Sequence, residues 1–204
     1  MLLDSSPFAS FAALEAEALA CTKCQLATTR TQVVFGVGDP HARLMFVGEG
    51  PGEQEDLQGE PFVGRAGKLL TSLIEGIGLT RAEVYIANVV KCRPPGNRDP
   101  QPGEIEACRP YLEAQMGFIR PSVVVTLGNF ATKLLLDTKT GITKLRGQEF
   151  PYDAHGETGV LIPTLHPSAV LRNGGVALAQ ARADFVLVKR ALARAQGEKA
   201  GAHS

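Results

Sequence analysis

An apolar run, Leu44-Met45-Phe46-Val47, passes directly into Gly48-Glu49-Gly50-Pro51-Gly52-Glu53-Gln54-Glu55-Asp56. The run reads as a strand covered on both faces, and the glycines and proline force an abrupt change of direction where it ends. Ligands of open α/β sheets gather at that edge. Glycines there let backbone N–H groups approach a ligand without Cβ obstruction, while Glu49 supplies an acceptor or base that a purely structural turn does not require. By itself the stretch is equally an ordinary tight turn, so its meaning depends on the rest of the chain.

Three further apolar runs follow. Val84 to Val90 is interrupted by one carboxamide, Asn88; Val123 to Leu127 leads to Asn129; Val160 to Ser168 contains Pro163, which suggests an edge or irregular strand, and His166. Between them lie helical stretches. Ser5 or Ser6 caps a first helix with Pro7 in its first turn and a stripe of Phe8, Phe11, Leu14 and Leu19. Others span about 66–77, 102–117, 130–136 and 176–195, with glycines stopping the second. Val33 to Phe35 is a short strand or a buried anchor, and Gly36 to His41 reads as a turn because no third glycine completes a dinucleotide fingerprint. Strand alternating with helix implies an α/β fold, a parallel sheet with helices on both faces.

The 204 residues, 44% hydrophobic, suffice for one core, so residues 1–196 are expected to form a single domain and 197–204 a disordered tail. Formal net charge is zero, which places any polyanion-binding surface in a local patch. Lys91-Cys92-Arg93-Pro94-Pro95-Gly96-Asn97-Arg98 is such a patch, and Gly141 to Gly147, with Lys144 and Arg146, is a second basic turn. No secretion signal or membrane-length apolar stretch is apparent, so a cytoplasmic protein is expected.

In a reducing cytosol the four cysteines, Cys21, Cys24, Cys92 and Cys108, favour a metal site over buried thiols. Zinc and a [4Fe–4S] cluster both accept four cysteines, and spacing does not choose between them. Glu49, Asn88, Asn129 and His166 each fall at or just past the carboxyl end of a different strand, an alignment that chance explains poorly. Phe62, between Pro61 and Gly64, is either a hydrophobic plug or a ring presented to a planar ligand. Carboxylate, carboxamide, imidazole and ring beside positive loops form the inventory of an enzyme that takes a base out of the DNA stack.

At these residues the chain resembles the family 4 uracil-DNA glycosylases, the iron–sulfur branch of the uracil glycosylase superfamily. The matching motifs are Gly48 to Asp56, Pro61-Phe-Val-Gly-Arg-Ala-Gly67, Asn88-Val-Val-Lys-Cys-Arg-Pro-Pro95 and His166-Pro-Ser-Ala-Val-Leu-Arg172, with the four cysteines in family order. The resemblance spans about residues 20–190. It implies a single-domain three-layer α/β/α sandwich with a four-stranded parallel sheet, and a structural [4Fe–4S] cluster on Cys21, Cys24, Cys92 and Cys108. It further implies a monofunctional enzyme of base excision repair, which hydrolyses the N-glycosidic bond of uracil in single- or double-stranded DNA and releases free uracil; a monomer is expected.

Within that resemblance Gly48, Gly50, Phe62, Asn88 and His166 bind uracil. Phe62 stacks on the base, Asn88 bonds its polar edge, and His166 stabilises negative charge developing at O2. Another branch carries an aspartate where this chain has Gly50, so that role does not transfer. Glu49 is the first choice to position or activate water, with Glu55 or Asp56 in reserve; Glu55 is also a candidate steric guard against thymine. Arg93, Arg98, Ser168 and Arg172 are expected on the DNA, with Val170 or Leu171 as an apolar wedge. No histidine lies between Pro94 and Pro110, which argues against covalent capture of the product. The competing expectation is a non-catalytic cluster or zinc module that binds DNA or a repair protein. Such a module has no need of Phe62, Asn88 and His166 together.

Overall fold

In a computed structural model, which describes residues 7–153 and 158–201, the four apolar runs are the four central strands of one sheet. These are β2 (Leu44–Gly48), β3 (Tyr85–Asn88), β4 (Val123–Leu127) and β6 (Thr158–Thr164). They pair in parallel in the order β3-β2-β4-β6. Two antiparallel edges complete a six-stranded sheet, β1 (Val37–Gly38) on β3 and β5 (Phe150–Asp153) on β6. The expected four-stranded parallel sheet is therefore the centre of a larger mixed one. Both edges escape a reading of hydrophobic runs: β1 has two residues inside a glycine-rich turn, and β5 contains Pro151.

Pro163 does not make β6 an edge strand. The regular β5–β6 ladder ends at Phe150 opposite Leu161, and beyond it the Gly147 N–H still donates to Pro163 O at 3.0 Å. Pro163 thus stands just past the end of the ladder, where its absent N–H interrupts no run of paired residues.

Alternation along the strands divides the core into two layers. Met45, Val47, Tyr85, Ala87, Val124 and Leu161 pack with buried residues of α1 (Phe11–Leu19) and α4 (Pro102–Ile119). Leu44, Phe46, Ile86, Val123, Val125 and Ile162 pack with α3 (Arg65–Gly76), α7 (Pro167–Asn173) and α8 (Gly175–Gly201). Each fully buried Leu, Ile or Phe stabilises the fold by about 1.5–3 kcal/mol relative to exposure. Short helices α2 (Glu53–Gln58), α5 (Asn129–Leu135) and α6 (Ile142–Leu145) fill the connections, so the second basic turn contains one helical turn.

The helix ends differ in detail from those predicted. Ser5 and Ser6 lie outside the described residues; α1 is capped by Ser10, whose side chain accepts from the Ala13 N–H at 3.1 Å. Leu14 and Ala18 are buried, whereas Leu19 is half exposed. Val33 to Phe35 is a buried anchor without strand pairing. The last helix continues to Gly201, through the first part of the predicted tail, where alanine, glutamate and lysine have high helix propensity. Residues 202–204 lie outside the described residues.

A buried brace fixes the end of β6 against α8. Asp184 on α8 accepts from Thr164 Oγ1 at 2.7 Å and pairs with Arg146, whose Nε lies 3.1 Å from Asp184 Oδ2. Only 1% of the Asp184 side chain is exposed, so removing it strands a largely buried guanidinium. Asp184→Ala is expected to lower unfolding free energy by about 3 kcal/mol in urea titrations. An unchanged midpoint would show that the brace contributes nothing.

Candidate active site

The parallel sheet delivers four polar residues to one edge. Glu49 follows β2, Asn88 closes β3, Asn129 follows β4 and His166 follows β6; together with Phe62 they line a single cleft. Asn129 serves the wall of that cleft, because its Oδ1 accepts from Ile142 N at 2.9 Å and so holds the start of α6.

Phe62, Asn88 and His166 share a slot above Gly48. Gly48 stands opposite Asn88 in the β2–β3 register, and a Cβ on it would collide with Asn88 Oδ1 and come within 2.7 Å of Phe62 Cζ. Only a residue without a side chain leaves ring and amide in place. The Phe62 and His166 ring centroids are 5.7 Å apart, inclined by 35°. Asn88 is 1% exposed, and its Oδ1 has no hydrogen-bond partner among the described residues. A buried acceptor left unmet costs roughly 1–3 kcal/mol, which a bound N–H donor would recover.

His166 is held in one tautomer. It caps α7, and its Nδ1 accepts from Ser168 N at 3.2 Å; a backbone N–H only donates, so Nδ1 carries no proton and Nε2 does. The Ser168 hydroxyl lies 2.7 Å from the same Nδ1. Burial, reinforced by Arg172 and opposed by Glu55, pulls the imidazole pKa down to about 4. The ring is therefore neutral at physiological pH.

The four carboxylates of the stretch have separate fates, and Glu53 lies 3.9 Å from Arg93 at the surface. Asp56 is buried and accepts from Thr31 N at 2.9 Å, tethering the preceding loop to α2. Glu55 Oε1 accepts from Val63 N and Gly64 N, each at 3.2 Å, and thereby holds the loop that carries Phe62. The Glu49 carboxylate forms no hydrogen bond among the described residues, and burial, aided by the negative charge of Asp99, pushes its pKa above the usual value. The Gly50 backbone packs against Val90, whose Cγ2 would lie 2.7 Å from an added Cβ.

Several residues expected on DNA have other duties. Val170 is 2% exposed and packs in the apolar layer with α3 and α8, so it cannot act as a wedge; Leu171, 44% exposed, can. Ser168 orients His166. Arg98 forks onto Glu104 at 2.6 and 2.9 Å and holds the loop against the start of α4, while Arg93 Nε donates to Asn97 Oδ1 at 2.7 Å. Arg172 is exposed at the cleft rim. Lys91, counted in the basic patch, is only 2% exposed: its ammonium donates to Asn88 O at 2.8 Å and to the buried Gln115 Oε1 at 2.5 Å. Its place directly after Val89-Val90 is the sequence signal for that burial. Asp99, another lining residue, carries no comparable signal.

Cys21, Cys24, Cys92 and Cys108 are all free and line one small pocket. N–H donors reach three of the sulfurs: Arg30 Nη1 to Cys92 at 3.4 Å, Lys91 N to Cys108 at 3.2 Å and Lys23 N to Cys21 at 3.5 Å. Such donors stabilise thiolates. Burial pushes the Cys92 thiol up to about 11 and raises Cys108 as well, so both resist ionising without a cation. Among the described residues no three His, Cys, Asp or Glu side chains are placed to hold a single metal ion. Four cysteines lining one pocket are the donor set that a polynuclear group or a zinc ion takes.

Comparison with known proteins agrees with this geometry. The family profile described as the uracil DNA glycosylase superfamily matches residues 35–191. The chain is 54% identical over 154 residues to a type-4 uracil-DNA glycosylase of Thermotoga maritima, covering 75% of this chain and 79% of that one. It is 50% identical over 159 residues to the type-4 enzyme of Archaeoglobus fulgidus, covering 76% and 80%, and 48% identical over 165 residues to that of Sulfurisphaera tokodaii, covering 78% and 75%. From the slot at the sheet edge, the profile match and this degree of identity, the chain belongs to the uracil-DNA glycosylase superfamily and to its type-4 branch.

Proposed function

We propose that this chain is a monofunctional uracil-DNA glycosylase of base excision repair, acting on uracil extruded from DNA. The observation that carries the reading is the unmet, buried Asn88 Oδ1 beside the Phe62 ring. Uracil N3–H is the donor that this acceptor lacks, and the amide's own N–H groups suit uracil O4. Cytosine presents the opposite pattern at both positions.

As the C–N bond lengthens, its electron pair moves into the uracil ring and negative charge gathers at O2. His166 Nε2–H donates there as a neutral group, stabilising the anion without first transferring a proton. The sugar becomes cation-like, and the Glu49 carboxylate both offsets that charge and orients water toward C1′. Water adds its oxygen to C1′ and passes a proton to the Glu49 carboxylate, the uracil anion takes up one proton from solvent and Glu49 returns its own, leaving an abasic site and free uracil. The cleft lining contains no lysine among the described residues, which supports hydrolysis without strand cleavage. Leu171 fills the vacated stack and Arg172 meets phosphate. Glu55 is a support of the Phe62 loop in this scheme, and its two backbone contacts argue against a role as a thymine guard.

Cys21, Cys24, Cys92 and Cys108, lining one pocket, supply the four thiolates that a [4Fe–4S] cluster takes, as the family resemblance implies. Bound there, it would staple the turn after α1 to the loop after β3 and to the body of α4 and supply no step of the bond cleavage. A single domain, monomeric and cytoplasmic, completes the proposal; no helix among the described residues is long and apolar enough to cross a membrane.

Incubation with a uracil-containing oligonucleotide should release free uracil and leave an unbroken, alkali-labile strand; no release would end the reading. The single-turnover rate should fall with acid below a pKa displaced upward from 4.5, because Glu49 acts as its carboxylate. Glu49→Gln should remove that limb and slow the reaction by about 100-fold. His166 contributes no limb until about pH 4, so a limb near pH 6.5 abolished by His166→Asn would contradict a neutral imidazole. Protein purified without oxygen should contain about four iron and four sulfide per chain, lost in Cys108→Ser. One zinc in a colourless protein would contradict the cluster.

A further inference from the structure

The geometry assigns Arg81 as a positioning residue for the base-stacking ring, an inference that rests on the reading of Phe62 given above. Phe62 adopts φ +55°, a left-handed conformation that an aromatic side chain rarely takes without outside support. That support comes from a residue nineteen positions downstream. Arg81, in the short turn before β3, donates from Nη2 to Pro61 O at 2.9 Å and from Nη1 to Phe62 O at 3.3 Å. The same guanidinium pairs with Glu60 at 3.1 Å and reaches Thr71 Oγ1 on α3 at 3.5 Å, so its own orientation is fixed from two sides.

The loop is gripped by complementary charges. Arg81 binds the carbonyls of residues 61 and 62, while Glu55 binds the N–H groups of residues 63 and 64. One cation on the oxygens and one anion on the amides turn the Phe62 peptide in a single sense. Gly67 completes the seat, because a Cβ there would fall on the Phe62 carbonyl. The ring is thereby set against Gly48 and Asn88, and the width of the slot follows from the clamp.

A plain structural ion pair would stabilise the fold without bearing on ligand affinity, and this difference is measurable. A stacking ring contacts the base in both ground state and transition state, so misplacing it raises KM and weakens product binding more than it lowers kcat. With the full-length protein, Arg81→Gln should raise KM for uracil-containing DNA and the inhibition constant of free uracil about tenfold, the size of one base–aromatic stack, with kcat changed less than about threefold. Arg81→Lys should recover part of the loss, since an ammonium retains the charge without the fork. In a Phe62→Ala background, Arg81→Gln should add less than about a twofold change, because the ring through which it acts is gone.

Equal losses in both backgrounds, or a lowered melting temperature with unchanged KM and inhibition constant, would overturn the assignment. Should Arg81→Gln fail to fold, the Arg81→Lys and Phe62→Ala pair is read by the same criterion. Should Phe62→Ala bind and release uracil normally, the stacking reading itself fails, and the role of Arg81 with it.

Discussion

The parallel pairing of β2 with β3 sets Gly48 opposite Asn88, and the rest of the site depends on that register. A slip by one residue would turn Asn88 to the other face of the sheet and bring a bulkier side chain into the slot. Because all four central strands run the same way, the ends of β2, β3, β4 and β6 open on one edge, and each contributes a polar residue there. The two packed faces on either side of the sheet hold that edge rigid, which a reader of hydrogen-bond patterns requires.

Burial shifts in opposite directions the pKa values of the two groups to which the proposed mechanism gives the chemistry. It disfavours charge on His166 and so keeps the imidazole neutral, while it raises the Glu49 carboxyl toward the pH at which a base is useful. In both cases burial disfavours the charged form, which leaves an uncharged imidazole as hydrogen-bond donor and a carboxylate of raised basicity in the same cleft. Ser168, by supplying both an N–H and a hydroxyl to Nδ1, directs the remaining imidazole proton away from its own helix. Lys91 and Gln115 form a second buried polar link, from the carbonyl of Asn88 to the segment that carries Cys92. The cysteine segment is thus connected directly to Asn88.

Much of this was legible in the sequence because it follows from strong local patterns. Four apolar runs ending in Glu49, Asn88, Asn129 and His166 announce both the parallel sheet and its working edge. What stayed hidden depends on tertiary partners. Val170 and Leu171 are indistinguishable as neighbours in a chain, and only the rotation of α7 decides that one enters the core and the other meets solvent. Arg98 reads as a phosphate ligand until Glu104 is seen to hold it, and Asp56 reads as a general base until two backbone N–H groups of a loop 24 and 25 residues earlier are found on it. The edge strands β1 and β5 are too short or too proline-bearing to show in hydrophobic periodicity.

The central claim is that the open acceptor of Asn88 receives the N3–H of uracil within the slot formed with Phe62 and His166. Comparing free uracil with N3-methyluracil as inhibitors of the wild-type protein tests this directly, since the methyl group removes that donor and adds bulk at the same atom. Uracil should inhibit and N3-methyluracil should not compete at any comparable concentration. Equal inhibition by the two would contradict the account.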